Sequence, residues 1–333
     1  MKNERPRRRL AVLDLCPILA GGSAADAFQR SLDLATHVEA LGYGRFWVAE
    51  HHNMPGIASA ATSVVIGHVA QGTSKIRVGS GGIMLLNHAP LVIAEQFGTL
   101  GSLYPGRIDL GLGRAPGTDQ ATVRVLRESP DLTGEDFPEK LEELRNFLKP
   151  PSPGQRIRAV PGAGLPIPIW LLGSGGFSAQ LAGILGLPFA SAGHFSPDNI
   201  LASLELYRRS FRPSETLDEP YAMVGINVFA ADTDEDAERL ATSHLQAHLS
   251  LARGVPIELP PPVNSFADLL PGGYAEWPFL RGSIIGSPVT VRAKLREFFE
   301  ETRADEVMIH SMIFDHAARR RSYEIAMEVS GEG

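Results

Sequence analysis

Four short segments carry the residue types best suited to chemistry. They are Glu50-His51-His52, Gly79-Ser80-Gly81-Gly82, Gly113-Arg114 and Gly173-Ser174-Gly175-Gly176. An imidazole titrates near neutrality and moves protons, so His51 is the candidate acid–base group. Gly81 and Gly82 let backbone approach a flat ligand, although glycines in a strand also serve a simple turn or bulge. Arg114 offers a fixed fork of donors to a phosphate, and glycines around it leave backbone N–H groups accessible. Its alternative is an ion pair with Asp119. Gly173, Ser174, Gly175 and Gly176 precede a predicted helix, whose N-terminus attracts phosphate. His194 and Phe195 are candidates for the substrate side, with Asn87 and His88 weaker ones. A metal is not expected at Glu50-His51-His52, because consecutive strand residues point to opposite faces and no second ligand cluster accompanies them. The glycines of 111–117 enclose a proline and lack an acidic partner, so they make a poor dinucleotide fingerprint. Cys16 reads as a small packed residue rather than a nucleophile.

Eight apolar runs are placed to position these groups. They are Leu10–Leu15, Arg45–Glu50, Ile76–Leu85, Ile108–Leu112, Ile169–Leu172, Pro188–Ala192, Tyr221–Ala230 and Glu306–Met312. Helical spacing falls between them, at Ala24–Leu41, Ala58–Gln71, Pro90–Tyr104, Asp119–Arg127, Glu139–Leu148, a helix ending at Leu185, Asn199–Phe211, Ala237–Leu251, Val289–Thr302 and His316–Val329. Gly42 reads as a helix stop, Pro90 as a first helical residue, and Thr233 with Asp236 as a cap. Eight strands alternating with helices predict an α/β fold, a (β/α)8 TIM barrel with insertions. Such barrels work at the C-terminal ends of their strands, where all four polar segments fall. Barrels more often hold phosphate after strands seven and eight; here the glycine-rich loop follows strand five.

The chain has 333 residues, 44% of them hydrophobic, and reads as one domain spanning 1–333. Two segments are read as insertions. One is the proline-rich 149–168. The other is 253–285, which carries Tyr274, Trp277 and Phe279 and is long enough for a lid. The net charge of −7 argues against a nucleic-acid surface, despite the basic cluster Lys2, Arg5, Arg7, Arg8 and Arg9. One cysteine excludes an intrachain disulfide and a cysteine zinc site, and suits a reducing cytoplasm. The arginine-rich start resembles an export signal, but Asp14 and Pro17 interrupt its short apolar run. No apolar run reaches the length of a membrane span. Small residues along Ala58–Gln71 offer a face for a partner subunit.

At AEHH, GSGGI…HAP, PGRIDLGLGR and WLLGSGG, in that order and spacing, the chain resembles the bacterial luciferase-like flavin monooxygenases. The likeness spans nearly the whole chain and is strongest from Gly42 to Gly117. It implies a TIM barrel that holds FMN at its C-terminal mouth and uses reduced flavin to activate O2. By position it implies that His51 is the active-site histidine and that Gly81 and Gly82 pack on the flavin, often through a cis peptide. It implies that Arg114, Gly173 and Ser174 hold phosphate. Gly113 and Gly173 stand where luciferase itself has cysteine and glutamate, which argues against light emission from a long-chain aldehyde. Without a convincing nicotinamide fingerprint, reduced FMN is expected from a separate flavin reductase, with a small organic molecule as substrate. A homodimer through 58–71 and 90–104 also follows from the resemblance. The alternatives are hydride transfer with the deazaflavin F420, and flavin binding without turnover.

Overall fold

The computed structural model describes residues 9–127, 134–270 and 278–331. Among them lie strands β1 (Arg9–Asp14), β2 (Arg45–Val48), β3 (Arg77–Ser80), β4 (Ile83–Met84), β5 (Ile108–Gly113), β6 (Ile169–Gly173), β7 (Phe189–Ser191), β8 (Ala222–Ala230), β9 (Ser283–Gly286) and β10 (Glu306–His310). The helices are α1 (Ala24–Leu41), α2 (Thr62–Gly72), α3 (Pro90–Leu103), α4 (Gln120–Leu126), α5 (Phe137–Leu148), α6 (Gly176–Leu185), α7 (Ile200–Ser210), α8 (Asp234–Ala252), α9 (Pro278–Arg281), α10 (Pro288–Thr302) and α11 (His316–Ser330). Parallel ladders run β1-β2-β3-β5-β6-β7-β8-β10, and β10 pairs back onto β1 to close the ring. The chain is therefore an eight-stranded (β/α)8 TIM barrel.

Side-chain alternation divides the core in two. Val12, Phe46 and Val48 face outward and pack under the helices. Leu13, Trp47, Trp170, Met223 and Met308 face inward and fill the barrel. The N-terminal end of the barrel is closed by charge rather than by apolar packing. Asp109 is fully buried and accepts from Arg45 Nη1 at 2.6 Å, Arg77 Nη2 at 2.6 Å and Trp47 Nε1 at 3.1 Å. Glu306 accepts from Arg45 Nε at 2.9 Å and from the Tyr221 hydroxyl at 2.5 Å. Arg45 also lies 5.0 Å from the Trp170 ring centre.

Helix ends follow local chemistry. Ser23 and Asp26 form a capping box on α1, which stops at Gly42 in the left-handed region. Thr233 caps α8 through the Asp236 N–H. Ser287 stands at the N-cap of α10 without a side-chain cap bond; its N–H donates to Asp234 Oδ1 instead.

Several expectations need correction. The run Ile76–Leu85 is not one strand, since the ladder breaks at Gly81-Gly82 and resumes as β4. The helix expected from Ala58 begins at Thr62, so residues 53–61 remain a loop at the mouth. Segment 253–285 is not one irregular connection. Leu259 bonds with Ile18 and Ala20, stitching 253–259 to the loop after β1. Further on, α9 and β9 form, and β9 pairs with the end of β8. Segment 149–168 packs on the outside, with Gly162 against Gly98 of α3. Lys2, Arg5, Arg7, Arg8, Pro130, Tyr274 and Trp277 lie outside the described residues. Among the described residues no helix is long and apolar enough to cross a membrane.

Removing the Asp109 carboxylate takes away the ion pair of Arg77 and one of the two of Arg45, and leaves Trp47 Nε1 without its acceptor. Asp109→Ala is expected to cost about 3–5 kcal/mol of stability, read by urea unfolding. A loss under about 1 kcal/mol would show that the plug does not hold the barrel.

Candidate functional site

The strand ends at the C-terminal mouth surround a cavity of about 360 Å³. Gly81, Gly82, Arg114, Gly173, Ser174, Gly175, Gly176, His51, His194 and Phe195 all lie on its wall, drawn from five different strand–loop junctions. Asn87 and His88 do not line it.

Its floor is backbone. The Gly81-Gly82 peptide is cis. A Cβ on Gly82 would fall 2.8 Å from Gly111 O, and one on Gly81 would fall 2.7 Å from Leu13 Cδ1. Gly82 is thus required by the barrel's own backbone packing, whereas at Gly81 the neighbour is a leucine tip that can shift. Arg114 leaves the end of β5 and places Cζ 4.2 Å from the ring centre of Phe177, in the first turn of α6. The Asp119 carboxylate, its proposed alternative partner, is taken by the Ala121 and Thr122 N–H groups as the cap of α4. At α6 the N-cap is Gly175 and no side chain caps the helix. Its first N–H groups therefore face the cavity open to an anion, beside a guanidinium.

The polar residues of β2's end divide by direction. His51 turns toward the cavity, with Nδ1 3.2 Å from Gly117 O and its ring edge-on to Phe195 at 6.3 Å. A carbonyl accepts only from a protonated nitrogen, so Nδ1 carries the hydrogen and Nε2 is the free base. Burial lowers the His51 pKa below its ordinary 6.5. Glu50 and His52 turn the other way and meet His88. Buried Glu50 accepts from His52 Nε2 at 2.8 Å, His88 Nε2 at 2.9 Å and Met84 N at 3.0 Å. Burial alone would raise its pKa, but the hydrogen bonds from His88, His52 and Met84 hold it below 4.5. These three residues bring potential ligand atoms within 4.8 Å of one another, a grouping that the alternation argument from neighbours alone overlooked. The donors already present satisfy the carboxylate, so the geometry is that of a hydrogen-bonded clamp between the loops after β2 and β4.

Further imidazoles crowd behind His51. Burial lowers His194 to about 3, and His51, once protonated, would add to this. Burial likewise lowers His244 to about 3 and takes His310 well below 6.5. His310 and its partner Asn227 were missed in the sequence. The available signal was alternation along β10, where Glu306, Met308 and His310 share the inward face.

Taken together, a glycine floor, an open helix N-terminus, an arginine and a histidine meet at one cavity in the mouth of a closed parallel barrel. The family model described as luciferase-like monooxygenase matches residues 9–306, and the chain belongs to that family. It is 58% identical to YvbT of Bacillus subtilis, with 98% of each chain covered. It is 52% identical to a luciferase-like monooxygenase of Escherichia coli K12, with 97% of each covered. The solved structure of apo-MsnO8 superposes with a TM-score of 0.89 at 36% identity, covering 97% of this chain and 98% of that one. More distant structures share the fold alone. One is the oxygenating component of 3,6-diketocamphane monooxygenase from Pseudomonas putida with FMN (TM-score 0.72, 19% identity). Another is an F420-dependent secondary alcohol dehydrogenase with an F420–acetone adduct (TM-score 0.71, 16% identity).

The buried imidazoles set a pH dependence. Below pH 6.5 the unfolded chain binds protons on His194, His244 and His310, while the folded chain refuses them on His194 and His244 until about pH 3, and on His310 until well below 6.5. Stability must therefore fall as pH drops below 6.5, by up to about 1.4 kcal/mol per pH unit for each imidazole. His310→Leu should flatten that slope by one proton in urea titrations between pH 7 and 5. An unchanged slope would mean that His310 is protonated in the fold.

Proposed function

We propose that the chain is a monooxygenase of the two-component type, using reduced FMN delivered by a separate flavin reductase and acting on a small organic molecule. The observation carrying this reading is the convergence of Arg114, the uncapped start of α6 and the Gly81-Gly82 floor on one cavity. The fit is chemical: a phosphate meets a guanidinium and free N–H groups, and a flat ring system meets backbone without Cβ atoms. When bound, reduced FMN would supply the electrons that activate O2. The chain's own residues do the rest. Arg114, Ser174 and the N–H groups of 173–176 hold the phosphate. Gly81 and Gly82 support the ring. His51 Nε2 exchanges a proton with substrate or cofactor. His194 and Phe195 wall the substrate side, and 253–270 covers the mouth and limits water. A location in the cytoplasm accords with the single buried Cys16.

We further read a homodimer formed through α2 and α3. Val64 (71% exposed), Val92 (43%) and Leu103 (63%) present large apolar side chains on these helices. A monomeric mass by light scattering at micromolar concentration would remove this assembly.

Arg114→Ala should weaken FMN binding by about 1.5–3 kcal/mol, or about 10- to 150-fold, in a fluorescence titration. Unchanged affinity would take Arg114 out of the site. His51→Gln should keep FMN affinity and lose about 10²- to 10⁴-fold in turnover, in a reductase-coupled assay over ketones, thioethers and aldehydes. Absorbance spectra with FMN and with F420, taken on the same preparation, separate the cofactors; tight binding of F420 alone would replace the monooxygenase reading by hydride transfer.

A further inference from the structure

Beside the larger cavity lies a second one of about 90 Å³, which no cofactor role uses. Leu15, His51 and Phe195 belong to both walls, so the two spaces adjoin where the proton-transfer group stands. The remaining wall is mainly apolar, with Ile57 and Met312, and includes His244, His248 and His310. Among the described residues no lysine, arginine, aspartate or glutamate lines it. Burial keeps its imidazoles neutral at pH 7. The space therefore offers an uncharged, low-dielectric surface.

One polar atom on this wall is singled out by a chain of hydrogen bonds. Asn227 Nδ2 donates to the His194 carbonyl at 3.1 Å, which fixes the amide's orientation. Its Oδ1 then faces His310 Nδ1 at 2.9 Å and must accept. His310 thus carries its hydrogen on Nδ1, and Nε2 is a bare acceptor. His310 is 2% exposed, and among the described residues Nε2 has no hydrogen-bond partner. A buried acceptor left in this state costs about 1–3 kcal/mol and is uncommon in folded chains. The register aims the ring at the mouth. Met308, two residues earlier on the same inward face of β10, lines the larger cavity, and His310 is the next step outward.

We propose that the second cavity is the substrate subsite, that it takes an uncharged and mainly apolar group, and that His310 Nε2 accepts a hydrogen bond from a hydroxyl or N–H on that group. This deepens the monooxygenase reading and rests on the larger cavity being the cofactor's. The volume bounds the group. About 150 Å³ of apolar space holds a benzene molecule, so about 90 Å³ takes only the polar edge of a ring or the end of a chain whose remainder lies in the adjoining larger cavity. A carboxylate or sulfonate finds no counter-charge there and has to shed its water. A molecule whose polar atoms only accept gains nothing from His310.

The test uses the full chain with FMN, ¹⁵N-labelled at histidine, and three probes of similar size: phenol, anisole and benzoate. His310 is assigned by comparison with His310→Gln. At pH 7 its Nε2 should resonate as an unprotonated ring nitrogen. Phenol should move that resonance toward the hydrogen-bonded position, anisole should leave it in place, and benzoate should not bind at the subsite. Phenol should bind about 2- to 12-fold tighter than anisole. In His310→Phe that difference should vanish, and His310→Gln, which retains an acceptor, should restore part of it. A protonated Nε2, equal responses to phenol and anisole, or no response because water alone fills the space would each overturn the proposal. Should one variant fail to fold, the other supplies the assignment, and the wild-type spectra then decide. FMN binding with a silent His310 sinks the subsite alone. If FMN does not bind, the cofactor reading falls, and the phenol response of the flavin-free chain still reports on His310.

Discussion

Along β3 and β5 the backbones approach closer than side chains permit, and the barrel's two ends both depend on that approach. A Cβ on Gly79 would sit 2.6 Å from Asp109 O and 2.9 Å from Trp47 Nε1. One on Gly82 would sit 2.8 Å from Gly111 O. Glycine at these places lets Trp47 reach across to the buried Asp109, which anchors the charged plug below. The same run leaves bare peptide at the cavity floor above. A single packing constraint thus serves stability at one end and leaves the backbone uncovered at the other. Separating these two duties by mutation is correspondingly hard at Gly79–Gly82 and easier at Arg114, which the packing does not require.

The distribution of charge follows from the same architecture. Ionised groups are paired at the N-terminal plug, at Asp14 with Arg319, and in the Glu50 clamp. The mouth instead holds imidazoles that burial keeps neutral. A neutral base next to a low-dielectric wall can exchange a proton without first being stripped of a counter-ion. Glu50 contributes indirectly. By binding Met84 N and His88, it fixes the loop that follows the glycine floor relative to the strand end carrying His51.

Much of this was legible in the amino-acid order. All eight ring strands stand out as apolar runs, because a parallel barrel buries both strand faces. Their polar ends mark the mouth, and so ten of the residues lining the larger cavity could be named without coordinates. Other features were hidden for physical reasons. The four residues of β9 are too short a run to distinguish from loop, and they become a strand only by pairing with the end of β8. The start of α2 was set too early, because the small residues Ala58–Ala61 suit a helix as well as the loop they form. Adjacent positions showed that His51 diverges from Glu50 and His52, but not that His88, thirty-eight positions from Glu50, completes their group. Asn227 and His310 meet across eighty-three positions, and each alone reads as a stray polar residue in an apolar strand.

The plug at the barrel's base also bears on synthesis. Arg45 lies 261 positions ahead of Glu306, and β1 finds its second neighbour only in β10. A chain emerging from the ribosome holds a guanidinium destined for burial between two carboxylates long before the second of them, Glu306, exists. Early strands must then wait, half-assembled and open-edged, until the final quarter is translated. Such a cylinder cannot mature piecemeal, and a growing chain of this kind is a natural client for chaperones that shield unpaired strand edges.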